Sequence, residues 1–152
     1  MTTTNAIVNA FGAALKVPNG ASPYTYDLTA TGRVIETQEV LTALPCPSVQ
    51  WAITGIPESY EPADLTRFSR SMEITMVGAA PATADTPTAH RTAVMNLADD
   101  IHTTLRANRD LGGLVNDIGP MSVTLLRGDA FGMPSTVAVF VGSVSVIWWE
   151  PN

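Results

Sequence analysis

The stretch TVAVFVGSVSVIWW, residues 136–149, carries the pattern on which the predicted fold depends. Its first part, Val137–Val141, is apolar at every position. A strand of this kind lies in the middle of a sheet with both faces covered, or has one face buried by another subunit. In the second part, valines and Trp148 alternate with serines and Ile147, which is the period-two pattern of a strand. The stretch therefore predicts a long strand inside a sheet.

Earlier segments predict the other strands, at residues 24–31, 49–54, 68–77 and 121–127. The clearest pattern is in 68–77, where Met72, Ile74 and Met76 alternate with polar residues. Residues 121–127 and 136–149 predict a C-terminal β-hairpin around a loop that contains Gly128, Gly132 and Pro134.

Three segments are predicted to connect these elements less regularly. Residues 56–67 are rich in acidic residues and proline, which indicates an exposed loop. Residues 78–87 are mostly small and predict the most flexible loop. Residues 33–44 fit either a short helix over 37–44 or an extension of the preceding strand through Val34–Ile35.

Two segments, residues 5–16 and 88–107, have the apolar spacing of amphipathic helices. In the second, Thr86 is placed to cap the helix and Pro87 occupies the favoured first turn. The order predicts one α+β domain over residues 1–152, in which two helices cover one face of a single mostly antiparallel sheet. The second face then needs cover, and an exposed apolar patch of that kind usually marks an interaction site.

Composition argues against several classes of function. Charged residues make up 14% of the chain, against about 25% in an ordinary soluble domain. The net charge is −6 and Lys16 is the single lysine, so a broad basic surface for nucleic acid is excluded. The single cysteine, Cys46, excludes an intrachain disulfide and suits a reducing cytoplasm. We also expect neither a signal peptide nor a membrane-spanning helix.

No motif in the sequence predicts catalysis, a cofactor or a metal. Cys46 lies between two prolines without the signature of a cysteine hydrolase, so we expect an inert thiol. His90 and His102 are twelve residues apart and point about 120° away from each other on a helix, so they cannot share a metal. Asp99 and His102 are close enough to touch, but a solvated ion cluster with Arg106 is the simpler interpretation.

Six residues are candidates for an interface between subunits. Trp148 and Trp149 are adjacent, so they face opposite sides of the sheet, and Trp149 lies either against a partner or against the protein's own loops. Arg67 and Arg70 can pair with a carboxylate of a neighbouring subunit or of the acidic loop before them. The predicted exposed loops contribute the remaining three candidates, Asp85, Asp129 and Met133.

The segment IHTTLRANRDLGGLVNDI, residues 101–118, resembles a recurring segment of the tail terminator proteins of long-tailed bacteriophages. In that family an amphipathic helix ends in Asp-x-x-Leu-Gly-Gly-x-Val-x-Asp or a close variant, whereas here Asp110 directly precedes Leu111. The order of elements is also similar over most of residues 5–149, including the Pro-x-Pro segment at Pro45–Pro47 before a strand.

The resemblance implies a structural virion protein and no enzyme. Tail terminators form a ring, usually of six subunits, that caps the tail tube and presents its other side to the neck or head-completion proteins. DNA passes through the lumen without specific binding, which a net charge of −6 suits. The implied location is the virion tail or neck, after assembly in the host cytoplasm. The alternatives are another neck protein, such as a head-completion stopper, or a small α+β enzyme or ligand-binding domain that uses Asp99, His102 or Cys46.

Overall fold

Two long antiparallel strands form the centre of the sheet in the computed structural model, which describes residues 3–39, 45–56, 61–62, 67–127 and 132–151. The helices are α1 (Thr3–Leu15) and α2 (Pro87–Ala107). The strands are β1 (Val34–Glu36), β2 (Ser48–Gly55), β3 (Glu61–Pro62), β4 (Arg67–Pro81), β5 (Asp117–Ile118), β6 (Ser122–Arg127) and β7 (Val137–Pro151). This order confirms the predicted α+β class.

The strands form one sheet in the order β1-β2-β4-β7-β5. Strand β3 lies beside β4 beyond the end of β2, and β6 lies beside β7 in line with β5. The β4–β7 ladder runs from Arg67 opposite Pro151 to Pro81 opposite Val137. Only the β1–β2 pair is parallel among the described strands. The β6–β7 pair is the predicted C-terminal hairpin, and residues 128–131 of its connecting loop lie outside the described residues.

Both helices pack on the same face of the sheet, as predicted, and form one large core with it. Its largest fully buried side chains include Phe11, Leu97, Ile101, Phe140 and Trp148. The Thr104 hydroxyl donates a buried hydrogen bond of 2.7 Å to the carbonyl of Ala14 and so joins the two helices. At the start of α2 the Thr86 hydroxyl accepts a hydrogen bond from the Ala89 amide, as the sequence predicted.

The prediction of a strand at 24–31 is wrong. The Asp100 carboxylate of α2 accepts hydrogen bonds from the amides of Thr25 and Tyr26, at 2.9 and 2.8 Å. The Leu28 amide donates to the carbonyl of Pro18. These amides are bound to a helix side chain and a nearby turn instead of a neighbouring strand, so the aromatic alternation belongs to a loop packed on α2. The strand forms later, at Val34–Glu36.

Two predicted loops also differ from the structure. Residues 78–81 of the predicted loop 78–87 belong to β4, because the ring of Phe140 lies directly on Gly78 and only a small residue fits there. Within 56–67, Glu61–Pro62 forms β3, while residues 57–60 and 63–66 lie outside the described residues. In 33–44 the structure has a strand at Val34–Glu36, which pairs with β2 and does not extend a preceding strand, and residues 40–44 lie outside the described part.

Candidate functional site

The sheet face opposite the helices has two unlike halves. At one end Val77, Ala79, Val139 and Met133 form a second, small buried cluster. Met133 is 7% exposed and provides part of the cover from the segment before β7. Within the subunit this cluster is buried, although Leu126, beside Val139 on the same face, remains 38% exposed.

The other half, which we call the open face, is solvent-accessible. Its exposed members are Thr54, Glu73, Ser122, Ser143 and Trp149, and its half-buried members are Ser69, Ser71, Thr75, Ser145 and Ile147. The strand registers place these residues side by side across β2, β4, β7 and β6. The open face is therefore a continuous surface spread over four strands.

Hydroxyl groups dominate the chemistry of the open face. The Thr54 and Thr75 hydroxyls lie 3.0 Å apart and share a hydrogen bond between β2 and β4. Glu73 is the one charged side chain in the set. Short hydroxyl side chains can donate and accept hydrogen bonds and give up little rotamer freedom when another surface covers them. This arrangement suits contact with a broad surface and offers no acid–base pair for catalysis.

The two adjacent tryptophans lie on opposite faces, as the sequence predicted. Trp148 is 1% exposed in the large core, and the Arg70 guanidinium lies 5.4 Å from the centre of its ring. Trp149 is 40% exposed at the end of the open face, and its amide donates to the side-chain carbonyl of Asn116. Arg70 thus packs within the subunit, whereas Trp149 presents a large aromatic surface to the solvent.

The structure does not bring the six interface candidates together. Asp85 is exposed beside the start of α2, with its carboxylate 3.4 Å from His90 Nε2. Trp149 and the Arg67 backbone lie at the other end of the β4–β7 ladder. The Arg67 side chain and all of Asp129 are outside the described part of the chain. The role of the six candidates between subunits stays a prediction.

Strand β6 adds two residues that the sequence analysis missed. Leu125 and Leu126 are 41% and 38% exposed and point to opposite faces of the sheet. Singly exposed leucines are ordinary on protein surfaces, so these two are of interest because the strand that holds them has no second partner strand among the described residues. The adjacent leucines are visible in the sequence, but the pattern alone does not place this strand at the edge of the sheet.

The residues considered for catalysis differ in their exposure and surroundings. Burial raises the pKa of the Cys46 thiol, although nearby Arg33 opposes the shift, so the nucleophilic thiolate is disfavoured. Asp99 and His102 are both exposed on α2. Within the described ranges no group of three His, Cys, Asp or Glu residues could hold a metal ion. Helices long and apolar enough to cross a membrane are likewise absent from that part of the chain.

The segment that carries the family resemblance forms the exit from α2. Leu111, Gly112 and Gly113 all have positive φ, at 49°, 71° and 88°, and the two glycines adopt this conformation without steric cost. Beyond the turn, the Arg109 guanidinium binds both carboxylate oxygens of Asp117, at 2.5 and 3.2 Å. The segment therefore reverses the chain and fixes β5 on the edge of β7.

Comparison of the chain with protein-family models and with curated proteins finds no match.

Proposed function

We propose that this protein is a tail terminator of a long-tailed bacteriophage, which assembles as a homo-oligomeric ring, with six as the proposed number of subunits. The ring caps the tail tube, stops its growth and provides the attachment surface for the neck or head-completion protein. The observation that carries the proposal is the open face, where half of one side of a well-formed sheet remains accessible to solvent.

The contrast within that side of the sheet supports assembly. Where the face is covered, it is apolar and buried, as at Val77 and Val139. Where it is open, the strands continue with hydroxyl residues and end at the exposed Trp149. The core of an interface between subunits is typically depleted in charged residues and anchored by a few aromatic side chains. The open face has this composition over several strands.

The charge of the protein supports a role beside DNA without binding to it. Fourteen acidic residues outnumber eight basic ones, so the electrostatic term that binds DNA phosphates is unfavourable. A ring of such subunits would let DNA slide through its lumen. The low charged fraction, 14%, also limits repulsion between identical copies at their contacts.

The proposal is tested by tube capping. Purified tail tube protein is polymerised with and without this protein, and tube lengths and ends are examined by electron microscopy. We expect growth to stop and a ring to be visible at one end. Light scattering of the free protein should give a mass near six times 16.1 kDa, or that mass should appear once tube is added.

Two outcomes would contradict the proposal. If tubes grow unchanged and the protein binds only a neck complex, it is a head-completion protein. If it neither caps tubes nor enters any tail or neck assembly, the structural role is wrong. A matched control uses Ser145→Arg on the open face and Thr92→Arg on the exposed side of α2, of which only the first should prevent capping.

A further inference from the structure

Strand β6 forms an edge of the sheet, and its first five residues lack the usual protection. It pairs with β7 on one side, and in the described ranges no strand pairs with its other side. Edge strands are normally protected from pairing by charges, proline or bulges. Residues Ser122–Leu126 contain neither charge nor proline, and Leu125 and Leu126 are exposed. Such an edge is a template for another strand.

The opposite edge of the sheet is also open. There β1 pairs only with β2 among the described strands. A trough runs along its outer side, lined by Lys16, the loop residues 29–32 and β1 itself. Val34, Ile35 and Ala30 give this trough an apolar part, while Lys16 and Glu36 balance each other in charge. The sheet thus ends in the uncharged segment Ser122–Leu126 at one edge and in a partly apolar trough at the other.

The strand registers align these two edges residue by residue. We call a line of register partners that crosses the sheet a row. In one row Thr124 lies opposite Val141, Val141 opposite Val77, Val77 opposite Gln50, and Gln50 opposite Ile35. The neighbouring rows connect Leu125 with Val34 and Val123 with Glu36 in the same way. Every residue of β1 therefore shares a row with one of three consecutive residues of β6.

The strand directions are compatible with pairing between copies. Strand β1 is parallel to β2, and each later step, to β4, β7 and β6, is antiparallel. Strand β6 consequently runs antiparallel to β1. If successive copies are related by rotation about an axis along the strands, β6 meets the next β1 in antiparallel orientation and each row continues without a shift. Head-to-tail contacts of this kind close into a ring when the rotation between successive copies divides a full turn.

We propose that the subunits join edge to edge, with residues 123–125 of β6 paired antiparallel with residues 34–36 of β1 in the next copy. Leu125 then packs beside Val34 of that copy, and Thr124 lies beside Ile35. A second copy is the favoured occupant because both complementary edges belong to the same chain. The uncharged segment Ser122–Leu126 also avoids repulsion between copies that each carry a net charge of −6. The proposal rests on the ring assembly proposed above and names its contact.

The first test replaces Leu125 with Lys, which protects the edge with a charge. Met95→Lys is the matched control, since Met95 is also 41% exposed but lies on α2. Light scattering of the wild-type protein should give a multimer. Leu125→Lys should reduce the mass to the single subunit with an unchanged circular dichroism spectrum, and Met95→Lys should keep the multimer. A multimer that survives Leu125→Lys overturns the edge contact, and so does a wild-type protein that stays monomeric at every concentration both alone and with tail tube added.

The second test identifies the partner strand by crosslinking in a Cys46→Ser background. Thr124→Cys and Ile35→Cys proteins are prepared separately, mixed, and treated with a short bismaleimide. Crosslinked dimers that form only in the mixture support the β6–β1 contact. Dimers from Thr124→Cys alone would indicate a twofold β6–β6 pair and overturn it, as would a multimer without crosslinks. The tube-capping assay is independent of both tests, so a wrong edge contact and a wrong function give different results.

Discussion

The two faces of the sheet are formed by the same strands but differ in the burial of their side chains. On the helix side, β4 and β7 present Met72, Ile74 and Val146, which are fully buried under α1 and α2. On the other side, the same strands present Ser71, Ser145 and their hydroxyl neighbours to solvent. The difference shows that the helix side stabilises the subunit, whereas the open face contributes little to its folding and is available for contact.

The largest expected contrast between the faces is at the adjacent tryptophans. Trp148→Ala removes a side chain that is 1% exposed in the core and leaves a cavity, so we expect a loss of about 3–5 kcal/mol in the free energy of unfolding. Trp149→Ala, at 40% exposure, should cost less than about 1 kcal/mol in the isolated subunit. Denaturation in urea measures both. Equal losses in the free energy of unfolding would contradict the conclusion that the helix side stabilises the subunit and the open face contributes little.

The next largest effect concerns the loop that packs on α2. Asp100 is 2% exposed and accepts hydrogen bonds from the Thr25 and Tyr26 amides. Asp100→Ala leaves these amides without their acceptor, and we expect a loss of about 2–3 kcal/mol. Hydrogen exchange at both amides should accelerate in the same variant. Asp99→Ala, on the exposed side of the same helix, is the control and should change neither quantity.

A smaller effect tests how tightly the helix-side face is packed. A Cβ added at Gly78 would lie 2.1 Å from the ring of Phe140, so Gly78→Ala forces the ring or the strands to move. We expect a loss of about 1–3 kcal/mol. Gly55→Ala is the control, because an added Cβ there meets no atom within 4 Å. If thermal denaturation shows both variants to be equally stable, Phe140 is not held as tightly as this contact requires.

The sequence predicted the parts of the fold that depend on local periodicity. Helix α2 follows from its apolar stripe together with Thr86 and Pro87 at its start. The opposite exposures of Trp148 and Trp149 follow from the alternation of a strand. Each of these signals lies within a few residues of the feature that it predicts, and each was confirmed.

The errors arose where distant residues decide the structure. The loop around Thr25 depends on the Asp100 carboxylate, 75 residues away in sequence. The small residues at 78–81 continue β4 because Phe140 fills the space above Gly78. The exposed edge of β6 depends on the order of strands in the sheet, which alternation does not encode. The candidate contact surface was therefore predictable only as an uncovered face, without its edge residues.

The smallest expected effect lies outside both faces, at the ion pair after α2. The hydrogen bond from Arg109 holds the pKa of Asp117 below its usual value. A carboxyl group with a lowered pKa in the folded state adds stability above its unfolded pKa of about 3.9, and loses it as the pH falls through the folded value. Because both side chains are exposed, solvent screens the pair and the effect on unfolding should be slight.

The pKa itself is a sharper measure of this pair than stability. In Arg109→Gln, NMR titration of the Asp117 carboxyl should give a pKa that rises towards about 3.9. Asp27 is an internal control, since its lowered pKa depends first on the Thr29 hydroxyl and should stay the same. An unchanged Asp117 titration would mean that Arg109 does not hold β5 against β7 in solution. The edge strand would then be fixed by its backbone hydrogen bonds to β7, such as the one from the Asn116 amide to the Ile147 carbonyl.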